Sequence, residues 1–292
     1  MNETCVTLEN ATHLARLYPL RGGKTGSFIH KATGFEIMQP PHDGVYPPLD
    51  PGMPFYKSDT SGFDDVFPSM GAERYSFHGH EIDIPDHGEI WTMPMRVEVD
   101  GLEARFTAKG AIFPYCYEKT VRLDGDTLEY AWRVQNTGDI PIPAMWVCHC
   151  LMRREPDTRF EFPDECHELI DLFPGKGALL SRPASGWDAA LPPEGKAMKF
   201  YFTEPVSQGR CAAVYPLSGM RADMNYDSAA LPYLGFWITT GGYRGDQAFA
   251  FEPATGYCDT IEAAEKAGRL PMLAAHARLE FSLSIRLSAL QQ

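Results

Sequence analysis

Nine histidines are spread unevenly through the 292 residues, and His78, His80 and His87 fall within ten positions. A His-x-His pair near carboxylates offers ligand types for a transition metal, because alternate strand residues face one side. Glu81, however, follows His80 directly and would point the other way, and no later ligand group completes the set. A polar loop whose histidines bond to backbone is the simpler reading of His78 and His80, and no metal is expected. His87 sits in Asp86-His87-Gly88. There Gly88 permits a sharp turn or the close approach of another molecule, and a strand-entry turn capped by Asp86 is the alternative. His149 lies in the apolar stretch MWVCHCLM, residues 145–152. As a strand this stretch points His149 with Val147 and Leu151, and Trp146, Cys148 and Cys150 the other way. A titratable ring in such surroundings needs a partner or a cavity, since burial penalises its charged form. Glu252 ends the run QAFAFE just before Pro253. A carboxylate there is raised in pKa unless a cation or several N–H donors compensate, which suits a general base near neutral pH. The quiet alternatives are a core histidine bonded to a carbonyl, and a glutamate paired with an arginine or left at the solvent edge.

Other groupings are less specific. Asp64 and Asp65 are adjacent, so a strand would send them to opposite faces. Glu73-Arg74 reads as a local ion pair, worth little on a surface. Cys148-His149-Cys150 has no Cys-x-x-Cys cluster to complete a zinc site. The chain contains no Gly-x-Ser-x-Gly, P-loop or Gly-x-Gly-x-x-Gly, which removes support for serine hydrolase, nucleotide hydrolase and dinucleotide-binding readings. A formal net charge of -13 opposes attraction to nucleic acid or an anionic bilayer. No apolar run approaches the ~20 residues that would span a membrane. The N-terminus does not read as a signal peptide, and the seven scattered cysteines look like reduced thiols, so a cytoplasmic location is expected.

The elements that must position these residues read as β. Residues 95–106 alternate around Asp100-Gly101, a two-residue hairpin signal, and residues 117–134 repeat the pattern around Asp124-Gly125-Asp126. Further strands are expected at residues 144–152, 199–203, 211–215, 233–239, 247–252 and 278–287. Strands separated by turn residues, with few helical patterns between them, predict a large antiparallel β-sandwich. One helix is expected, opened by Asp259 as a cap with Glu262 three residues on, and closed by Gly268. Residues 39–68 and 163–195 are rich in Pro, Gly and Asp but carry aromatic anchors. They are expected to be ordered loops that build a site or wrap an edge. No repeat and no composition shift divides the chain.

The order of these motifs resembles the aldose 1-epimerase (galactose mutarotase-like) family: Asp86-His87-Gly88 before a Trp, Tyr- and Trp-rich hairpins, the strand histidine, then Phe251-Glu252-Pro253-Ala254-Thr255-Gly256. Residues 62–68, GFDDVFP, resemble a stretch of bacterial members, residues 128–138 the family's central strand and turn, and residues 279–287 its closing strand. The resemblance implies one galactose mutarotase-like domain over residues 1–292, an all-β antiparallel supersandwich with the site in a cleft on one sheet. It implies that His149 is the general acid, Glu252 the general base, and His87 a contact to a small-molecule sugar, with no cofactor. Trp91 or Trp237, before the core-like Trp146, is expected to pack on the sugar ring. Asp64 and Arg74 are counted with the substrate-binding set, and Arg153 and Arg154 are further candidates for an anionic sugar. This sequence departs from the family where Glu89-Ile90-Trp91 follows His87-Gly88 and where an N-terminal Asn-Arg is missing. A further substrate aspartate has three candidates, Asp223, Asp227 and Asp246. The sugar stays open: neutral, phosphorylated or otherwise acidic. A monomer or homodimer is expected. The alternatives are a non-catalytic sugar-binding domain of this fold and a metal-dependent enzyme using His78, His80 and His87.

Overall fold

Alternation of large and small side chains decides which way each central strand faces. In Gln247–Ala254, Phe249 and Phe251 enter the main core, while Ala248, Ala250 and Glu252 face the opposite side. The same period of two sends Leu234, Phe236 and Ile238 inward from Tyr233–Thr240, and Met198, Phe200 and Phe202 inward from Ala197–Phe202. Gly235 and Trp237, and Lys199 and Tyr201, alternate with them and so share the other face. On Val147–Cys150 the core takes Cys148 and Cys150, leaving Val147 and His149 outside it.

The computed structural model describes residues 4–184 and 186–290. Among these, twelve strands form one sheet and eight a second. The first runs in spatial order from Val6–Glu9 through His13–Tyr18, Lys24–His30, Phe63–Val66 and Val147–Cys150. It continues through Gln247–Ala254, Tyr233–Thr240, Ala197–Phe202 and Glu168–Phe173 to Ala178–Ser181, and the short strands Phe35–Glu36 and Met152–Arg153 pair with Lys24–His30 and Gln247–Ala254 to complete the twelve. The second is ordered Arg159–Glu161, Arg210–Tyr215, Met220–Tyr226, Arg278–Ala289, Thr127–Asn136, Tyr115–Asp124, Glu103–Lys109, Arg96–Asp100. Pairing within both is antiparallel, and aromatic rings from the two fill the space between them. Trp132 meets Trp146 with centroids 4.6 Å apart and stacks on Phe281, and the Trp146 Nε1 donates to Tyr117 Oη at 2.9 Å. This is the antiparallel β-sandwich that the strand pattern predicts. Both expected hairpins are present, with Gly101 and Gly125 at positive φ in their turns. No helix of the described residues is long and apolar enough to cross a membrane.

Four details differ from expectation. Residues 39–68 are not loop throughout, because Phe63–Val66 is a central strand paired with Val147–Cys150. Residues 163–195 are not loop throughout: ELIDLF, Glu168–Phe173, pairs with Ala197–Phe202 and with Ala178–Ser181. Its short alternation is masked in sequence by flanking Pro and Gly. The helix Ile261–Lys266 is capped by Thr260, which accepts from the Ala263 N–H, and not by Asp259. Glu73 is not paired with Arg74; it accepts from the first helical N–H groups at Ile261 and Glu262, while Arg74 turns outward to Asp83.

Buried charge also orders the sheet. Lys24 lies between Asp59 and Asp64, with Arg21 on Asp59, and Lys119 reaches from the second sheet to Asp65 at 3.0 Å. Asp64 and Asp65 thus do face opposite ways, each onto its own lysine. Ions removed from water hold their charge only when partnered, and losing one partner leaves the other stranded. Lys119→Met should therefore destabilise the fold by about 3–5 kcal/mol, and the double variant with Asp65→Leu should recover most of that loss. Urea unfolding of the single and double variants checks this.

Candidate functional site

The outer face of the first sheet is not flat. Ala248 leaves a hollow between taller neighbours, and residues of the 39–62 loop close over it. The result is a cavity of about 300 Å³ with His87, His149, Lys199, Trp237 and Glu252 in its lining, together with Phe55, Asp86, Asp246 and Asp259. That volume lies at the lower end of small-molecule sites.

His149 reaches the cavity from Val147–Cys150, and its Nδ1 is sealed without a hydrogen-bond partner. Burial, and then the charges of His87, Lys199 and Lys24, hold its pKa well below the usual histidine range. His87 stands edge-on to it, ring centroids 4.7 Å apart, and stacks on Phe55 at 4.2 Å. The His87 Nδ1 lies 2.8 Å from Asp86 Oδ1, and the other Asp86 oxygen accepts from the Phe55 N–H. His87 has φ +61 and Gly88 φ +67. A Cβ on Gly88 would fall 2.0 Å from the Phe67 carbonyl, so the turn that aims His87 requires glycine there.

Glu252 is fully buried at the cavity floor. Its one polar contact among the described residues is Lys199 Nζ at 3.2 Å from Oε2, and none of them gives either oxygen a further hydrogen bond. Burial pushes its pKa up to about 7 against the pull of Lys199. Lys199 also contacts Asp259 Oδ1 at 2.9 Å. Burial works against its charge, but Asp259 and Glu252 together outweigh that and hold the ammonium above its ordinary range. At the mouth, Asp246 meets His42 Nδ1 at 2.7 Å, and Arg244 donates to the Tyr56 and Ser58 carbonyls and to Thr60 Oγ1. These bonds tie the covering loop to the sheet.

Of the residues singled out from sequence, the structure brings His87, His149, Trp237 and Glu252 to one cavity. Three others stand outside it. Arg74 lies on the exposed hairpin Glu73–Phe77 with His80–Ile84, paired to Asp83. Asp64 shares the His149 side of the sheet as its cross-strand partner but is sealed against Lys24; burial pushes its pKa up to about 7. Trp91 is buried behind Phe55, its Nε1 donating to the Asp86 carbonyl, where it supports the wall instead of forming it. Arg153 is paired with Glu155, and Arg154 bonds Gln247. Of the three candidate aspartates only Asp246 lines the cavity; Asp223 pairs with Arg221 on the second sheet. His78 and His80 sit at the outer hairpin, and among the described residues no group of three or more His, Cys, Asp or Glu is arranged around a metal position. The cation beside Glu252 is a lysine, not the arginine considered as an alternative. Lys199 and Asp259 were missed as site residues. A lone Lys in the apolar run AMKFYF was the available signal for the first, and Asp259 was concealed by its plausibility as a helix cap.

No family model and no curated relative matches the sequence. Solved structures do. The Slr1438 protein of Synechocystis sp. PCC 6803 is similar at 18% identity and TM-score 0.79, over 99% of this chain and 97% of that one. An Escherichia coli K12 protein provisionally named an aldose 1-epimerase is similar at 16% and 0.77, over 98% and 99%. A galactose mutarotase-like protein of Lactobacillus casei ATCC 334 is similar at 18% and 0.76, over 98% and 100%. The chain has the galactose mutarotase-like fold.

Glu252 is more easily held protonated in the fold than in the unfolded chain. Its raised pKa therefore contributes stability at low pH that is lost as pH rises through about 7. Glu252→Gln, which mimics the neutral form, should gain on wild type by on the order of 3 kcal/mol between about pH 4 and pH 8, from the rise of 4.5 to about 7. Thermal unfolding of both proteins across that range measures the difference.

Proposed function

We propose that this protein is an isomerase of the aldose 1-epimerase type, interconverting the α and β anomers of a sugar. The observation that carries the reading is the convergence of His149 and Glu252, from distant parts of the chain, on one small cavity whose lining also holds His87 and Trp237. Glu252 takes the proton of the anomeric hydroxyl while His149 protonates the ring oxygen, so the C1–O bond opens to an aldehyde. Rotation about C1–C2 and closure with the proton roles exchanged give the other anomer. Each group serves as acid and base in turn, so the competent site holds one proton between the two. Burial favours that proton on Glu252 in the free site, because it penalises both the imidazolium and the carboxylate, so ring opening requires its transfer to His149 first. Trp237 offers an aromatic face to the C–H side of the ring, and His87, fixed by Asp86, a contact to a hydroxyl.

A sugar without phosphate or carboxylate suits the lining best. Asp86, Asp246, Glu252 and Asp259 face the cavity against the single lysine Lys199, and no arginine is in its lining. The arginines considered for an anionic substrate are taken up elsewhere, by Asp83, Glu155 and Gln247.

Saturation-transfer NMR on a panel of free sugars tests the proposal. Wild type should accelerate anomer exchange, with Glu252→Gln and His149→Asn each losing about 10²–10⁴-fold and Arg74→Ala keeping full rate. Full rate in both site variants would overturn the assignment, and saturable binding without faster exchange would make this a sugar-binding domain. The wild-type kcat/KM should also fall as pH rises through about 7, where the shared proton leaves.

A further inference from the structure

Glu252 and Lys199 are not neighbours in the sheet. Tyr233–Thr240 runs between their strands, and its Gly235 pairs with Glu252 on one side and Tyr201 on the other. A Cβ at Gly235 would come within 3.0 Å of both Glu252 Oε2 and the Tyr201 ring. The missing side chain is what opens the lane through which carboxylate and ammonium meet at 3.2 Å. On its far side Lys199 is held by Asp259 at 2.9 Å, and Tyr201 Oη donates to the same Asp259 oxygen at 3.2 Å. One ammonium thus serves two carboxylates, and the buried one has no other polar partner among the described residues.

We propose that Lys199, steered by Asp259, is a positioning pair that sets the pH at which Glu252 exchanges its proton. The proposal rests on the reading of Glu252 as a reacting group. The other ionisable groups around the floor do not compete for this role. His149 and His87 are held towards their neutral forms by burial, Asp86 is engaged by His87, and the Cys148 thiol on the core face is pushed up by burial. Tyr201 is likewise neutral and spends its hydroxyl on Asp259. That leaves one cation and one anion in charge contact with Glu252, and their removal must act with opposite sign.

The test is a ¹³C titration of the Glu252 carboxyl in protein labelled at glutamate, the signal assigned by its loss in Glu252→Gln. Lys199→Met should raise the midpoint by about one to three pH units. Asp259→Asn should lower it, and Lys199→Arg should leave it in place. A structural role alone would move neither midpoint, and because Lys199→Arg and Asp259→Asn keep or gain positive balance at the floor, they carry the test independently of Lys199→Met. An unmoved midpoint in Asp259→Asn, or movement in the same direction as Lys199→Met, would overturn the proposal. The titration needs no sugar. If the midpoints move as stated while wild type fails to accelerate exchange, the pair stands and the isomerase reading falls; if wild type accelerates exchange and the midpoints stay still, the reverse holds.

Discussion

A carboxylate taken out of water with one cation for company is the constraint on which this site depends. Among the described residues Glu252 has no backbone N–H and no hydroxyl to lean on, only Lys199. Everything that lets it sit there is a matter of what neighbouring positions lack. Ala248 keeps the floor low, and Gly235 keeps the lane to the lysine open. The Phe residues on the reverse of the same strand meanwhile bind it into the core. The strand is therefore heavy on one side and nearly bare on the other, and that asymmetry anchors a group that water would otherwise claim.

The second buried cluster has a different character. Lys24 and Lys119 each meet carboxylates at positions closed to solvent, so cations and anions balance where no ligand arrives. Such ion pairs contribute little net stability compared with apolar packing, yet each is costly to break singly. They fix the strand Phe63–Val66 beside Val147–Cys150, which holds the imidazole of His149 at the cavity. The buried charge of the frame and the imidazole at the cavity are thus direct cross-strand neighbours, as the paired Asp64 and His149 show.

Much of the architecture was legible in the chain because antiparallel hairpins advertise themselves: Asp100-Gly101 and Asp124-Gly125-Asp126 sit between strands of clean alternation. Glu252 and His149 were legible for a related reason, since each interrupts an apolar run where packing alone would not put it. Arg74, Asp64 and Trp91 were not placed correctly, because residue type and local order do not reveal what lies across the sheet. Asp64 meets a lysine forty positions earlier, Arg74 turns outward on a hairpin, and Trp91 is screened by Phe55 from a loop that carries no periodic signal. Lys199 and Asp259 escaped for the complementary reason. Each has an adequate local explanation, one as a strand residue and the other as a cap, and only the tertiary fold brings them together.

The loop over the hollow is fastened at its rim by Arg244, by the His42–Asp246 contact and by the Phe55 amide on Asp86. None of these fastenings involves Glu252 or His149. The roof nevertheless meets the cavity floor through ring packing, with Phe55 lying against His87 and edge-on to His149. Lengthening or shortening the roof away from Phe55 would recut the opening for a larger or smaller guest while His149 and Glu252 beneath it kept their places.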